Sequence, residues 1–246
     1  MSNSETDPDP LWRAFAQMRV EEGNLNDHLD LPHLLQLVPP GEGRCALDLG
    51  CGLGQASIKL AEEFSYTVVA VDFNSEFLDY AKNSYSGSRI TWLHSTFDDL
   101  NFKRANFSLI VSCLAFHFVE DLSTLINNCA KWLGPGGKLI FSVRHPIRTS
   151  NPGGQIAVDG RVGWIVKDYF TQPYRECLWL GQRCVNFHRP LSAYFHMLTG
   201  AGLKIDTVVE PSMCETSSHP SAGESQSVPF FLLISCGKPD YAKGCG

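Results

Sequence analysis

Residues 45–57, CALDLGCGLGQAS, run an apolar segment directly into glycines at positions 50, 52 and 54. Glycine weakens helix and strand alike, so glycines at alternate positions mark backbone that must turn sharply or lie open to a ligand. The flanking segments give this loop its setting. RCALDLG reads as a strand and QASIKLAEEF as a helix. TVVAVDF, RITWLHS, FSLIVSCLAF and GKLIFSVRH then read as strands, interleaved with helices SEFLDYAKNSY, opened by a Ser75 cap, and DLSTLINNCAKWL. Alternation of this kind builds a doubly wound α/β sheet, and ligands of such sheets bind beyond the carboxyl ends of the strands, at the switch point.

Three ligand classes suit a strand–glycine–helix turn. A phosphate loop needs GxxxxGK followed by Ser or Thr, and no Lys follows Gly54 in that register. A dinucleotide turn needs GxGxxG, whose third glycine lets helix and strand approach. Counting from Gly50 that position is Gln55, and from Gly52 it is Ser57. The spacing present is D-x-G-x-G-x-G, from Asp48 to Gly54. It suits a ligand without a pyrophosphate, with a carboxylate at the strand end to attract positive charge. Asp72 ends the next strand, where an acid can hold both hydroxyls of a ribose.

This pattern resembles the first motif of class I S-adenosylmethionine-dependent methyltransferases. The likeness extends over Cys45 to Val143, through LHSTFDDL, FSLIVSCLAFHFVEDL and WLGPGGKLIFSV. Thr96 falls where the family usually has an acid against the adenine amino group, with Asp98 a shifted alternative. Ser108 replaces the usual Asp. A looser likeness, to small-molecule enzymes of the ubiquinone/menaquinone-biosynthesis type, rests on SVRHPI and HRPL, with Arg144 in place of an acid. The resemblance implies a seven-stranded, mostly parallel Rossmann-like sheet whose last strand is antiparallel, with S-adenosyl-L-methionine as cofactor. The cofactor residues it implies are Arg19, Asp48, Gly50, Cys51, Gly52, Gly54, Asp72, Phe73, Thr96, Phe97, Ser112 and Cys113. Asn24 and Asn26 join Arg19 in closing over the cofactor.

Methyl transfer needs alignment first, and a base only where the nucleophile carries a firmly held proton. His117 follows the fourth strand, His145 the fifth, and His188 precedes the next helix, so all three are candidate bases. Arg144 and Arg189 are candidates for orienting a carboxylate or phosphate. Residues 146–187 are rich in Gly, Pro, Arg and aromatics and read as an irregular lid; Trp164, Tyr169, Phe170, Tyr174 and Trp179 make it aromatic, and Trp164 and Tyr169 are assigned to the substrate.

The 246 residues carry 20 Lys and Arg against 26 Asp and Glu, with no basic run, which argues against a nucleic-acid partner. Nine cysteines without a CxxC pair suggest neither a disulfide frame nor a metal site, and no metal is expected. MSNSETDPDP is unlike a targeting peptide and no apolar run reaches membrane length, so a cytoplasmic protein is expected. The loop after the fourth strand lacks the D/N-P-P-Y/F of adenine methylation in DNA and the glutamate pair of arginine methylation, and His145-Pro146 lacks the carboxylates of metal-dependent catechol methylation. A small molecule with an O, N or C nucleophile remains. A nicotinamide oxidoreductase and a non-catalytic S-adenosylmethionine-binding module are the competing readings. One domain is expected: a disordered tail (1–10), N-terminal helices (11–40), cofactor core (41–143), lid and substrate segment (144–188), and a closing helix with strands (189–246).

Overall fold

A computed structural model describes residues 10–20, 24–171, 174–179, 181–213, 219 and 221–240. Residues 1–9 of the expected tail and the side chain of Trp179 lie outside the described residues. Seven strands form one sheet: β1 (Cys45–Leu49), β2 (Thr67–Asp72), β3 (Ile90–His94), β4 (Phe107–Cys113), β5 (Leu133–Arg144), β10 (Lys204–Val209) and β11 (Phe231–Gly237). Their order is β10-β11-β5-β4-β1-β2-β3. Pairing is parallel from β3 to β5, and β11 runs antiparallel to both β5 and β10. This is the seven-stranded, mostly parallel Rossmann-like sheet expected above, with its last strand antiparallel. The chain steps outward from β1 to β3 and then returns to β4 on the other side of β1, so the switch point opens between β1 and β4.

Alternate residues of the central strands feed two cores. Leu47, Leu49 and Ile110 face α5 (Leu122–Trp132) and α7 (Leu191–Gly200), where Ile126, Tyr194 and Leu198 are fully covered. Ala46, Leu109 and Val111 face the other side, packed with Leu34 of α2 (Leu31–Gln36), Leu60 of α3 (Gln55–Glu62) and Leu78 of α4 (Ser75–Ser84). Covering both faces explains why these strands are apolar runs rather than alternating ones. Ser108 ties β4 to β1 by donating from Oγ to the Cys45 carbonyl at 3.1 Å.

Two expectations change. The cap of α4 is Asn74, whose Oδ1 accepts the N–H groups of Glu76 at 3.0 Å and Phe77 at 3.1 Å, and Ser75 is the first helical residue. The segment after β5 is ordered: α6 (Pro146–Ser150), a hairpin of β6 (Gln155–Val158) and β7 (Arg161–Trp164), and a hairpin of β8 (Tyr174–Trp179) and β9 (Gln182–Phe187). The first hairpin turns on Asp159 and Gly160 with φ of 49° and 73°, the geometry a two-residue Asp-Gly turn supplies. Helix α1 (Pro10–Val20) packs against β9, so the N-terminal helix and the second hairpin meet above the carboxyl ends of β1, β4 and β5.

Candidate active site

A cavity of about 1190 Å³ occupies that position, floored by the glycine loop and roofed by α1 and β9. The loop is held by its backbone: the N–H groups of Gly50 and Cys51 both donate to the Val71 carbonyl, at 2.9 and 3.0 Å. Gly50 has φ +76°, and a Cβ there would sit 2.5 Å from the Ala115 Cβ, so this wall tolerates no side chain. Gly54 has φ +88° and lies behind the wall, where a Cβ would meet the Trp92 ring at 2.7 Å. Its bareness seats the start of α3 against β3, as helix-to-sheet closeness requires.

Two carboxylates flank the loop. Asp48 is fully buried, with Ser57 Oγ donating to Oδ2 at 2.6 Å and Oδ1 lacking any hydrogen bond. Burial pushes its carboxyl up to about 7, offset by the Ser57 bond and reinforced by Asp72. Asp72 accepts the Gly52 N–H on Oδ2 at 2.8 Å and the Asn74 N–H on Oδ1 at 2.9 Å, joining the glycine loop to α4. Burial raises its carboxyl as well. Phe73, Thr96, Phe97 and Asp98 continue this wall, and the Thr96 hydroxyl donates to Asp99 Oδ2 at 2.6 Å, leaving its lone pairs to accept. Arg19, Asn24 and Asn26 close the opposite side; Arg19 Nη2 lies 2.9 Å from Asp27 Oδ1.

Of the three histidines, only His117 reaches the cavity. It sits on a short 3-10 turn, Phe116–Phe118, is 2% exposed, and lies 4.2 Å from the Phe118 ring, centroid to centroid. Nδ1 is sealed from solvent without a partner, so Nε2 is the nitrogen able to meet a ligand. Burial, then the charges of Arg144 and Arg189, hold the ring well below its ordinary pKa and therefore neutral. His145 lies off the cavity: Nε2 meets Glu210 Oε1 at 2.6 Å and Nδ1 accepts the Ile147 N–H, capping α6. His188 is pinned at both nitrogens, Nδ1 to Thr149 Oγ1 at 2.8 Å and Nε2 to the Tyr169 carbonyl at 2.9 Å.

Several other sequence candidates also stand outside the cavity. Ser112 is engaged within the sheet, its Oγ donating to the Leu49 carbonyl at 2.8 Å. Arg189 clamps the carbonyls of Phe187, Val119 and Glu120. Tyr169 accepts the Leu191 N–H on its hydroxyl, and Trp164 lies under the Arg148 guanidinium at 4.9 Å. Arg144 and Cys113 are on the wall, and Cys113 Sγ donates to Asp30 Oδ2 at 2.9 Å. Sequence reasoning missed Asp30, which is fully buried and also takes the Ser142 hydroxyl at 2.8 Å; burial raises its carboxyl to about 6. It missed Asn186, buried on the wall between Val185 and Phe187; the every-second-residue rhythm of Cys184 and Asn186 was the available signal.

A family described as a methyltransferase domain matches residues 47–141. An S-adenosylmethionine-dependent methyltransferase from Mesorhizobium loti is 30% identical, with a TM-score of 0.75, over 84% of this chain and 96% of that one. The chain belongs to the S-adenosylmethionine-dependent methyltransferases. A Haemophilus influenzae protein without an assigned function is 27% identical over 85% of this methyltransferase and 86% of its own length. Phosphoethanolamine N-methyltransferase 3 of Arabidopsis thaliana is 28% identical over 68% of this chain, which matches only 33% of that protein.

The cofactor of the methyltransferase is S-adenosylmethionine, which sets aside the nicotinamide reading. The residues present fit it. Gly50 leaves backbone bare where a side chain would collide with Ala115, and Asp48 keeps an unpaired carboxylate oxygen beside that loop. A buried acid without a cation is unfavourable alone and favours a ligand carrying ammonium and sulfonium charge. Among the described residues, no group of three or more His, Cys, Asp or Glu is placed to hold a metal, and no helix is long and apolar enough to cross a membrane.

Proposed function

We propose that this methyltransferase acts on a small molecule held between the glycine loop and the β8–β9 hairpin, with the whole chain serving as one catalytic unit in the cytoplasm. The carrying observation is that Asp48, Asp72 and the neutral His117, whose ring has no hydrogen bond among the described residues, line one cavity. Asp48, Gly50, Cys51 and Gly52 take the methionine end of the cofactor, Asp72 and Phe73 the ribose, and Thr96 and Phe97 the adenine. Arg19 and Cys113 complete the enclosure. Gly54 and Ser112 act behind it, by seating α3 and by tying β4 to β1.

When bound, S-adenosylmethionine supplies a methyl group on a positively charged sulfur. His117 takes the proton of an O or N nucleophile at Nε2 as that nucleophile acquires the methyl group, and the walls exclude water from the exchange. His145 and His188 position the lid segment instead of handling protons. The named small acceptor of the Arabidopsis relative, phosphoethanolamine, supports a small-molecule substrate here.

A panel of small acceptors, assayed for release of S-adenosylhomocysteine, tests this. Acceptor-dependent release by the wild type, reduced 10²- to 10⁴-fold or roughly so in His117→Ala with unchanged S-adenosylhomocysteine binding, is the expected result. Release only with protein or nucleic acid as acceptor would overturn the reading.

A further inference from the structure

Arg144 ends β5 on the cavity wall, partly buried, and its side chain makes no hydrogen bond or ion pair among the described residues. The arginines around it are engaged. Arg148 meets Glu224 Oε1 at 2.8 Å and the carbonyls of Pro229 and Val228, with its guanidinium 3.7 Å from the Phe230 ring. Arg189 meets the three carbonyls named above. Glu120 and Asp121 also face the cavity, yet neither forms an ion pair with Arg144.

His117 lies on the same wall, 2% exposed, with neither ring nitrogen bonded to the protein among the described residues. Its basicity is depressed first by burial and then by the charges of Arg144 and Arg189, which places both guanidinium groups near it. A guanidinium fork on the wall of a largely apolar cavity is stabilised by a bidentate oxyanion. Phe118, Phe187 and Phe230 contribute apolar surface to the same cavity.

We infer that the methyl acceptor carries an oxyanion, a carboxylate or a phosphate monoester, gripped by Arg144 with its apolar body against Phe118, Phe187 and Phe230. This rests on the acceptor occupying the cavity as proposed above. Arg144 selects the acceptor by charge and sets the distance from its anionic end to the nucleophile at His117.

Calorimetric titration of benzoate, phenyl phosphate and benzamide into the S-adenosylhomocysteine-loaded protein tests the inference. At least one anion is expected to bind about tenfold or more tightly than neutral benzamide. The stronger of the two anions identifies carboxylate or phosphate. Arg144→Ala should abolish the preference and Arg144→Lys retain part of it, because lysine keeps the charge but not the fork. Both variants should melt as the wild type does and bind S-adenosylhomocysteine equally well. Benzamide binding as tightly as both anions, a preference that survives in Arg144→Ala, or no anion binding below about 10 mM would overturn the inference. Failure of the wild type to bind S-adenosylhomocysteine would instead contradict the cofactor assignment.

Discussion

Ser57 Oγ donates a 2.6 Å hydrogen bond to one oxygen of Asp48 while the other oxygen, equally sealed from solvent, has no partner. One oxygen is held by the protein, and the other is the one we propose for the cofactor's ammonium. An unfolded Asp ionises near pH 4, and the folded Asp48 only near about 7. Between these values the folded state keeps a proton that the unfolded state has released. The stability contributed by Asp48 is therefore full below about pH 4, declines as pH rises through about 7, and stays low above it. Asp48→Asn should raise the stability of the ligand-free protein at pH 8 by about 1–3 kcal/mol and change little at pH 4. The same variant should bind S-adenosylhomocysteine about tenfold or more weakly. Thermal melts at the two pH values and calorimetry check both halves.

In the proposed cofactor site, ionised Asp48 is the form that would attract positive charge. S-adenosylhomocysteine retains the ammonium, so its affinity should strengthen as pH rises through about 7 and then level off. In Asp48→Asn the profile should be flat. Dissociation constants measured from pH 5.5 to 8.5 decide it.

Gly50→Ala forces a Cβ into Ala115 at a left-handed backbone position, and Gly54→Ala forces one into Trp92. Each should cost about 1–3 kcal/mol of stability, read from denaturant melts. Gly50 lines the cavity and Gly54 does not, so S-adenosylhomocysteine affinity should fall further in Gly50→Ala.

His188→Ala removes partners from Thr149 Oγ1 and the Tyr169 carbonyl and should lower stability by about 1–3 kcal/mol. His117→Ala removes a buried ring packed on Phe118 but no hydrogen bond, so its melting temperature should fall less than that of His188→Ala. Its loss should appear in turnover. A His188→Ala enzyme that melts normally but has lost all turnover would reverse the two assignments.

The frame of the fold and the glycine loop that floors the cavity were readable because their signals are local. Asp48, the three glycines and Asp72 lie on two adjacent strands and one turn, and apolar runs separated by helical periods fix which strands are covered on both faces. The acceptor side was less readable. His117 and His145 each follow a strand in the sequence and His188 precedes a helix, so all three look equally able to face the site. Their difference depends on partners such as Glu210, 65 residues from His145, and Thr149, 39 residues from His188. Arg144 and Arg189 divide in the same way: one makes no side-chain hydrogen bond or ion pair among the described residues, while the other meets carbonyls 69 and 70 residues away. The hairpins of the lid were readable in part, since Asp159-Gly160 is a strong turn signal, but aromatic and glycine-rich composition masked it.

The most direct test is a crystal structure of the protein with S-adenosylhomocysteine. The expected structure has both ribose hydroxyls on the Asp72 carboxylate, the amino group on the side of the Asp48 wall, and the sulfur turned toward the space bounded by His117 and Arg144. A nucleoside lodged away from Asp72, or a sulfur facing any wall other than that of His117, would contradict the account.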